Sequence, residues 1–184
     1  MSRFVWEAGM PVDEAKALGE TVSIGASHLE ALYEEHVGRA TALATLLTGD
    51  MNVAEDIAHD AFLRAAGRFR HLREPEAFGA YLRRTVVNTC RTRARRTRRE
   101  RMFLERAWRV RRVEPDTSAD DRDELMPLIK ALPYRQRAAL VLRYWDDLSE
   151  AQIADILRTS PRAVNALLSR AMASLRSEIG RSEQ

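Results

Sequence analysis

Residues 148–176 read LSEAQIADILRTSPRAVNALLSRAMASLR, and this stretch decides how the chain is read. Ser149 and Gln152, three apart, have the spacing of a capping box, in which each side chain satisfies a free backbone N–H at a helix start. Ile153, Ala154, Ile156 and Leu157 then form the inner side of a short helix. The turn Arg158-Thr159-Ser160 follows. Ser160 is suited to cap a second helix, and Pro161 fits its first position, where no N–H is needed. Val164, Leu167, Leu168, Ala171 and Leu175 keep helical spacing on that second helix, leaving Arg162, Asn165, Ser169 and Arg170 toward solvent. Two helices joined by about three residues, the second carrying Arg and Asn near its start, form a helix-turn-helix pattern. Such a second helix enters the major groove and offers polar groups to base edges and phosphates. A plain helical hairpin in a bundle is the alternative for this stretch alone.

Outward from there, the rest of the chain also reads as helix. Among 184 residues there are 8 Gly and 6 Pro, few enough to leave long helices uninterrupted, and no clustered β-branched runs suggest a sheet. The expected fold class is all-α, with two small helical domains joined by a flexible linker. The net charge of +3 conceals an asymmetry. Residues 1–60 hold eleven acids and three bases, whereas 83–112 hold thirteen arginines and two glutamates. Charges segregated in this way point to separate partners, one of them a polyanion. Cys90 is the only cysteine, so no intrachain disulfide is possible and no cysteine cluster points to zinc. Neither a leader pattern nor an apolar run of about 18 residues is present, so a cytoplasmic location is expected.

Four segments result: an N-terminal extension 1–27, a helical domain 28–112, an acidic linker 113–123 and a second helical domain 124–181. In the extension, Gly9, Pro11, Gly19 and Gly25 are expected to break helical patterns early. Leu29, Leu32, Tyr33, Val37, Ala40, Leu43, Ala44 and Leu47 then keep helical spacing up to a stop at Gly49. Asn52 and Glu55 suggest a capping box for the next helix. Its inner residues are Val53, Ile57, Ala61, Phe62 and Ala65, and it turns Glu55, Asp56, His59 and Asp60 outward. A third helix, opened by Pro75, buries Phe78, Tyr81, Leu82, Thr85, Val86 and Cys90. It continues directly into the arginine run, where Arg84, Arg91, Arg95 and Arg98 share a face. The linker is rich in acids with Pro, Ser and Thr, a composition that cannot bury a core.

Together these motifs resemble the bacterial RNA polymerase sigma factors of the sigma-70 family, in particular the small two-domain extracytoplasmic-function (ECF) group. AEDIAHDAFLRA (54–65) is similar to the part of region 2 that binds the polymerase clamp. FGAYLRRTVVNTCRTRARR (78–96) is similar to the promoter-melting and −10 segment. LPYRQRAALVLRYWDDLSEAQIADIL (132–157) is similar to region 4 leading into its helix-turn-helix. The resemblance implies an N-terminal region 2 bundle and a C-terminal region 4 domain, with core RNA polymerase and promoter DNA as partners and an anti-sigma factor as a possible third. It assigns Glu55, Asp56, His59 and Asp60 to polymerase binding. Arg68, Phe69, His71, Arg84, Asn88, Arg91, Arg95 and Arg98 go to the −10 element and melting, and Arg162, Asn165, Ser169 and Arg170 to the −35 element.

The sequence departs from the family pattern in places. Tyr81 stands for a usual Trp, Thr92 for an acid and His59 for a frequent Gln. In the recognition helix Arg162 and Ala163 replace Gly-Thr, Asn165 replaces Lys, and Leu167 replaces Arg, so unusual −35 recognition is expected. The main rival is a helix-turn-helix regulator without polymerase affinity, which has no need of the acidic 55–60 face. A nuclease is disfavoured because no base, nucleophile or metal set converges. Asp56, His59 and Asp60 have helical spacing but are not assigned to a metal. No cofactor and no catalytic residue are expected.

Overall fold

In a computed structural model, the backbone is described for residues 12–69, 77–108 and 125–182, and the side chains over 29–68, 78–103 and 125–181. Within these residues the chain forms seven helices in the order α1 (Val12–Thr48), α2 (Met51–Phe69), α3 (Ala77–Trp108), α4 (Leu125–Ala131), α5 (Tyr134–Tyr144), α6 (Glu150–Leu157) and α7 (Pro161–Ser182). The all-α expectation holds. Calls on the linker 113–123 fall outside the described residues.

The chain divides into two compact units, Met1–His36 and Val37–Gln184. The first contains the leading part of α1, which runs through Gly19 and Gly25, where the sequence suggested early breaks. A glycine inside a helix costs only about 1 kcal/mol relative to alanine, too little to end a long helix by itself. Leu32 is buried in this unit.

In the second unit, the end of α1 buries Ala40, Leu43, Ala44 and Leu47. The helix stops at Gly49, whose φ of +74° is left-handed and whose N–H closes on the Thr45 carbonyl at 2.7 Å. A side chain at position 49 would also run into Lys130. The residue that caps α2 is Asp50 rather than the expected Asn52: its Oδ1 accepts from the Val53 N–H at 3.1 Å. Both residue types suit an N-cap, and the helix register selects the earlier one.

Helices α2 and α3 pack face to face. Alanines at 54, 58, 61 and 65 allow a close approach, and Phe62 meets Phe78 edge to face with centroids 5.5 Å apart. Phe78, Leu82, Val86, Val87 and Cys90 complete the buried side of α3. Full burial of a side chain such as Phe78 stabilises the fold by about 1.5–3 kcal/mol. From Thr92 onward α3 leaves the core almost entirely, and its arginines line an exposed rod.

Helices α4–α7 form a second set. Ile129, Leu132, Leu140, Ala171 and Leu175 make one core cluster, with Met126, Leu128 and Met172 packed around it. Ile153, Ala154, Ile156, Leu157 and Val164 are all buried beneath the helix pair α6–α7. The capping box forms as read from the sequence, with Ser149 Oγ accepting from the Gln152 N–H and Gln152 Oε1 accepting from the Ser149 N–H. Arg158 ends α6 in the left-handed region at φ 50°, and Ser160 Oγ accepts from the Ala163 N–H at the head of α7.

These two helical sets of the second unit meet through polar groups. The α5–α6 loop is fixed by backbone bonds from Trp145 to Val141 (2.9 Å) and from Leu148 to Leu142 (3.0 Å), and it aims Asp146 inward. Arg39 donates to Asp146 Oδ1 through Nε (3.1 Å) and Nη2 (2.8 Å). Arg83 Nε lies 2.9 Å from Oδ2, in an ion pair whose angle falls short of a hydrogen bond. Arg39 also lies over the Trp145 ring, 5.3 Å from its centroid. Arg137 donates to three carbonyls, those of Leu47 at the end of α1, Lys130 and Leu132. Tyr134 Oη donates to the Val87 carbonyl at 2.6 Å.

Candidate functional site

Three surfaces carry the residues singled out in the sequence. On α2, Glu55, Asp56, His59 and Asp60 are all exposed. They occupy the side opposite the buried Ala54, Ile57, Ala58 and Ala61, as positions three and four apart on a helix must. Asp60 is paired with Arg64 at 3.5 Å, an exposed one-turn contact of little energetic weight. Among the described residues no cluster of His, Cys, Asp or Glu converges as a metal site.

The second surface is the outer side of α3. Arg95 and Arg98 are exposed, and neighbouring Arg96 is paired with Glu100 at 2.8 Å, which raises its pKa. Nearer the core the picture differs. Arg84 Nη1 reaches Asp155 Oδ2 of α6 at 3.0 Å, and Asn88 and Arg91 are half-buried. The Asn88 carbonyl accepts from Thr92 Oγ1. Burial pushes the Tyr134 phenol pKa up, an effect that nearby Cys90 reinforces and the Arg137 and Arg91 guanidinium groups oppose. Arg84, Val87 and Arg91 therefore form one stripe that faces α5 and α6. Arg68 is exposed, with its guanidinium 6.0 Å from the Tyr81 ring. The Phe69 side chain and His71 lie outside the described residues.

The third surface is the start of α7. Arg162, Asn165, Ser169 and Arg170 are exposed, as the helical spacing requires. Asn165 Nδ2 donates to Glu150 Oε1 of α6 at 3.1 Å, which orients the amide. The pair α6–α7, closed by a left-handed residue and a serine cap, has the form of a helix-turn-helix with its second helix free to enter a groove.

Sequence reasoning missed Asp146 and Arg137. Each sits among ordinary charged residues, and their partners are far away in sequence, 107 residues for Asp146–Arg39 and 90 for Arg137–Leu47.

A helical protein that presents a helix-turn-helix beside a second, arginine-lined helix belongs to the nucleic-acid-binding class. The family models for sigma-70 region 2 and sigma-70 region 4 match residues 32–100 and 122–175. An RNA polymerase sigma-E factor of Streptomyces avermitilis is 34% identical over 172 residues, covering 83% of this chain and 88% of the relative. The ECF RNA polymerase sigma factor SigG of Mycobacterium tuberculosis is 31% identical over 157 residues, covering 70% and 42% respectively. A chain in the co-crystal structure of the sigma factor RpoE with the anti-sigma factor NepR from Bartonella quintana shares the fold, with a TM-score of 0.64 at 18% identity, covering 82% of this chain and 96% of that one. The chain belongs to the sigma-70 family of RNA polymerase sigma factors, in its ECF group. No helix among the described residues is long and apolar enough to cross a membrane.

Proposed function

We propose that this chain binds core RNA polymerase, directs it to promoters by contacting −10 and −35 elements, and assists DNA melting. It works in the cytoplasm, and catalysis belongs to the polymerase. The observation that carries this reading is the combination, in one chain of this family, of an exposed acidic face on α2, an arginine-lined α3 and an exposed polar quartet at the start of α7.

Each surface has a chemical task. Glu55, Asp56, His59 and Asp60 on a rigid helix offer an electrostatic docking face to a basic partner surface. Arg84, Asn88, Arg91, Arg95 and Arg98, with Arg68, Phe69 and His71 before them, serve the −10 element. Arginines hold phosphates, while stacking and polar groups offset the few kcal/mol of extracting a base from the duplex. Arg162, Asn165, Ser169 and Arg170 dock α7 on the −35 element, where phosphate contacts position the helix and base contacts specify. The segments 28–112 and 124–181 act as region 2 and region 4 domains, with 113–123 as their connection and 1–27 as an extension. An anti-sigma protein that covers these surfaces is a further partner.

Run-off transcription with purified core enzyme tests the proposal. Promoter-dependent transcripts that require this chain are expected on genomic templates. A chain that binds DNA yet yields no such transcript would instead be the helix-turn-helix regulator without polymerase affinity.

A further inference from the structure

Helix α3 carries two large apolar side chains that the fold leaves uncovered. Phe103 is 72% and Met102 46% exposed, and both stand toward the far end of the arginine rod. Residues 91–103 contain seven arginines and one glutamate. That glutamate, Glu100, is paired with Arg96. Side chains four apart on a helix stand in one inclined row. Arg91, Arg95 and Arg99 make such a row, which ends in Phe103, and a shorter row of Arg98 and Met102 runs beside it. Each row of cations therefore ends in an apolar group.

The surroundings of the pair indicate its partner. Between residues 91 and 103 the only other apolar side chain is Ala94, too little for the broad apolar face with which a helix lies in a lipid surface. Guanidinium groups at regular spacing instead match a row of phosphates. Duplex DNA also has apolar parts within reach of such a row, namely its sugar faces and the thymine methyls of the major groove. From Arg91 to Phe103 the helix rises about 18 Å at ~1.5 Å per residue. That is the length of about five base pairs at ~3.4 Å each. In chain order the far end of α3 leads to the α6–α7 pair assigned above to the −35 element, so on a promoter it lies on the −35 side.

We propose that Phe103 and Met102 form an apolar tip that seats on duplex DNA just to the −35 side of the −10 element. This inference rests on the promoter-reading function proposed above. The arginine rows hold the backbone and set the register, and the tip extends reading into the spacer through thymine methyls and sugar faces. The two kinds of contact differ in their response to salt. Neutralising phosphates releases counterions, whereas burying an aromatic ring releases none, so the tip adds affinity without adding to the salt slope.

The double variant Phe103→Ala/Met102→Ala of the full chain, bound to core enzyme, tests this. It is titrated at several salt concentrations with promoter fragments that either run through the spacer or stop at the upstream edge of the −10 element. Circular dichroism checks that helix content is retained, as truncation of two exposed side chains requires. On the long fragment the variant should bind about tenfold more weakly, as loss of a partly buried ring and thioether implies, with an unchanged log–log salt slope. On the short fragment it should match the wild type. Equal affinity on the long fragment, or the same loss on both, would overturn the tip. Weaker pull-down of core enzyme without DNA would assign the pair to a protein contact, and wild-type binding to phosphatidylglycerol vesicles that the variant loses would assign it to lipid; either result overturns the proposal. If the wild-type holoenzyme selects no promoter, the promoter reading itself fails. The chain alone, titrated with a short duplex of arbitrary sequence, then decides by the same salt-independent loss whether the tip touches DNA.

Discussion

Arg137→Met tests how the α4–α5 corner is held. The Arg137 guanidinium donates to the carbonyls of Leu47 (2.8 Å), Lys130 (2.8 Å) and Leu132 (3.2 Å), thereby satisfying helix-end acceptors of both α1 and α4. Burial lowers its pKa, with Tyr134 and Cys90 pulling the other way, and its Nε has no partner. Hydrogen bonds to a charged donor are each worth about 1.5–3 kcal/mol, so three amount to about 4–9 kcal/mol. Against this stand the desolvation of the cation and the access of water to some of the freed carbonyls, which together remove roughly half. Methionine keeps the apolar stem, leaving a net loss of about 3 kcal/mol. For a chain of this length that lowers Tm by about 6–12 °C. Arg137→Lys should recover little, because one ammonium cannot reproduce a planar fork that spans three acceptors. Thermal unfolding followed by circular dichroism reads both variants. A Met variant within 1–2 °C of the wild type, or a Lys variant equal to it, would refute the reasoning.

Three further outcomes follow. Asp56→Arg with Asp60→Arg should abolish pull-down of core polymerase while helix content stays unchanged; retained binding would remove α2 from the polymerase interface. Arg95→Ala with Arg98→Ala should lower the slope of log affinity against log salt for promoter DNA by about 2, and an unchanged slope would place both side chains off the nucleic acid. Burial pushes the Cys90 thiol up to about 12, partly offset by its backbone hydrogen bond and by Arg137 and Arg93, from an ordinary value of 9.0. Above pH 9 the unfolded chain therefore loses a proton that the folded chain keeps, so stability present below pH 9 declines as pH rises toward 12. Urea unfolding at pH 8 and pH 10.5 reads this, and Cys90→Ala should flatten the decline.

Local chemistry made much of this molecule readable from its sequence. The Ser149–Gln152 box, the Ser160 cap and Pro161 act within four residues, so their spacing alone predicts a helix-turn-helix that the coordinates reproduce. The same holds for the outward acids of α2, whose positions follow from the buried alanines between them. At the head of α2 the spacing to Glu55 pointed to Asn52, whereas Asp50, two residues earlier and just as able to cap, holds the Val53 N–H. The length of α1 escaped because glycine lowers helical propensity without forbidding the helix. Asp146, Arg39, Arg83 and Arg137 escaped for another reason: ion pairs and carbonyl bonds between distant helices leave no periodic trace, and each of these residues reads as one more surface charge.

The Asn165–Glu150 bond has an implication for how DNA preference can change. On the promoter-reading proposal, an amide whose N–H is already committed to a neighbouring carboxylate presents its oxygen outward, as an acceptor suited to an exposed amino group on a base. Glu150 lies outside the recognition helix, so a substitution there would free the amide to turn over and offer a donor instead. Part of this chain's vocabulary for duplex sequence is thus written one helix away from the residues that touch it.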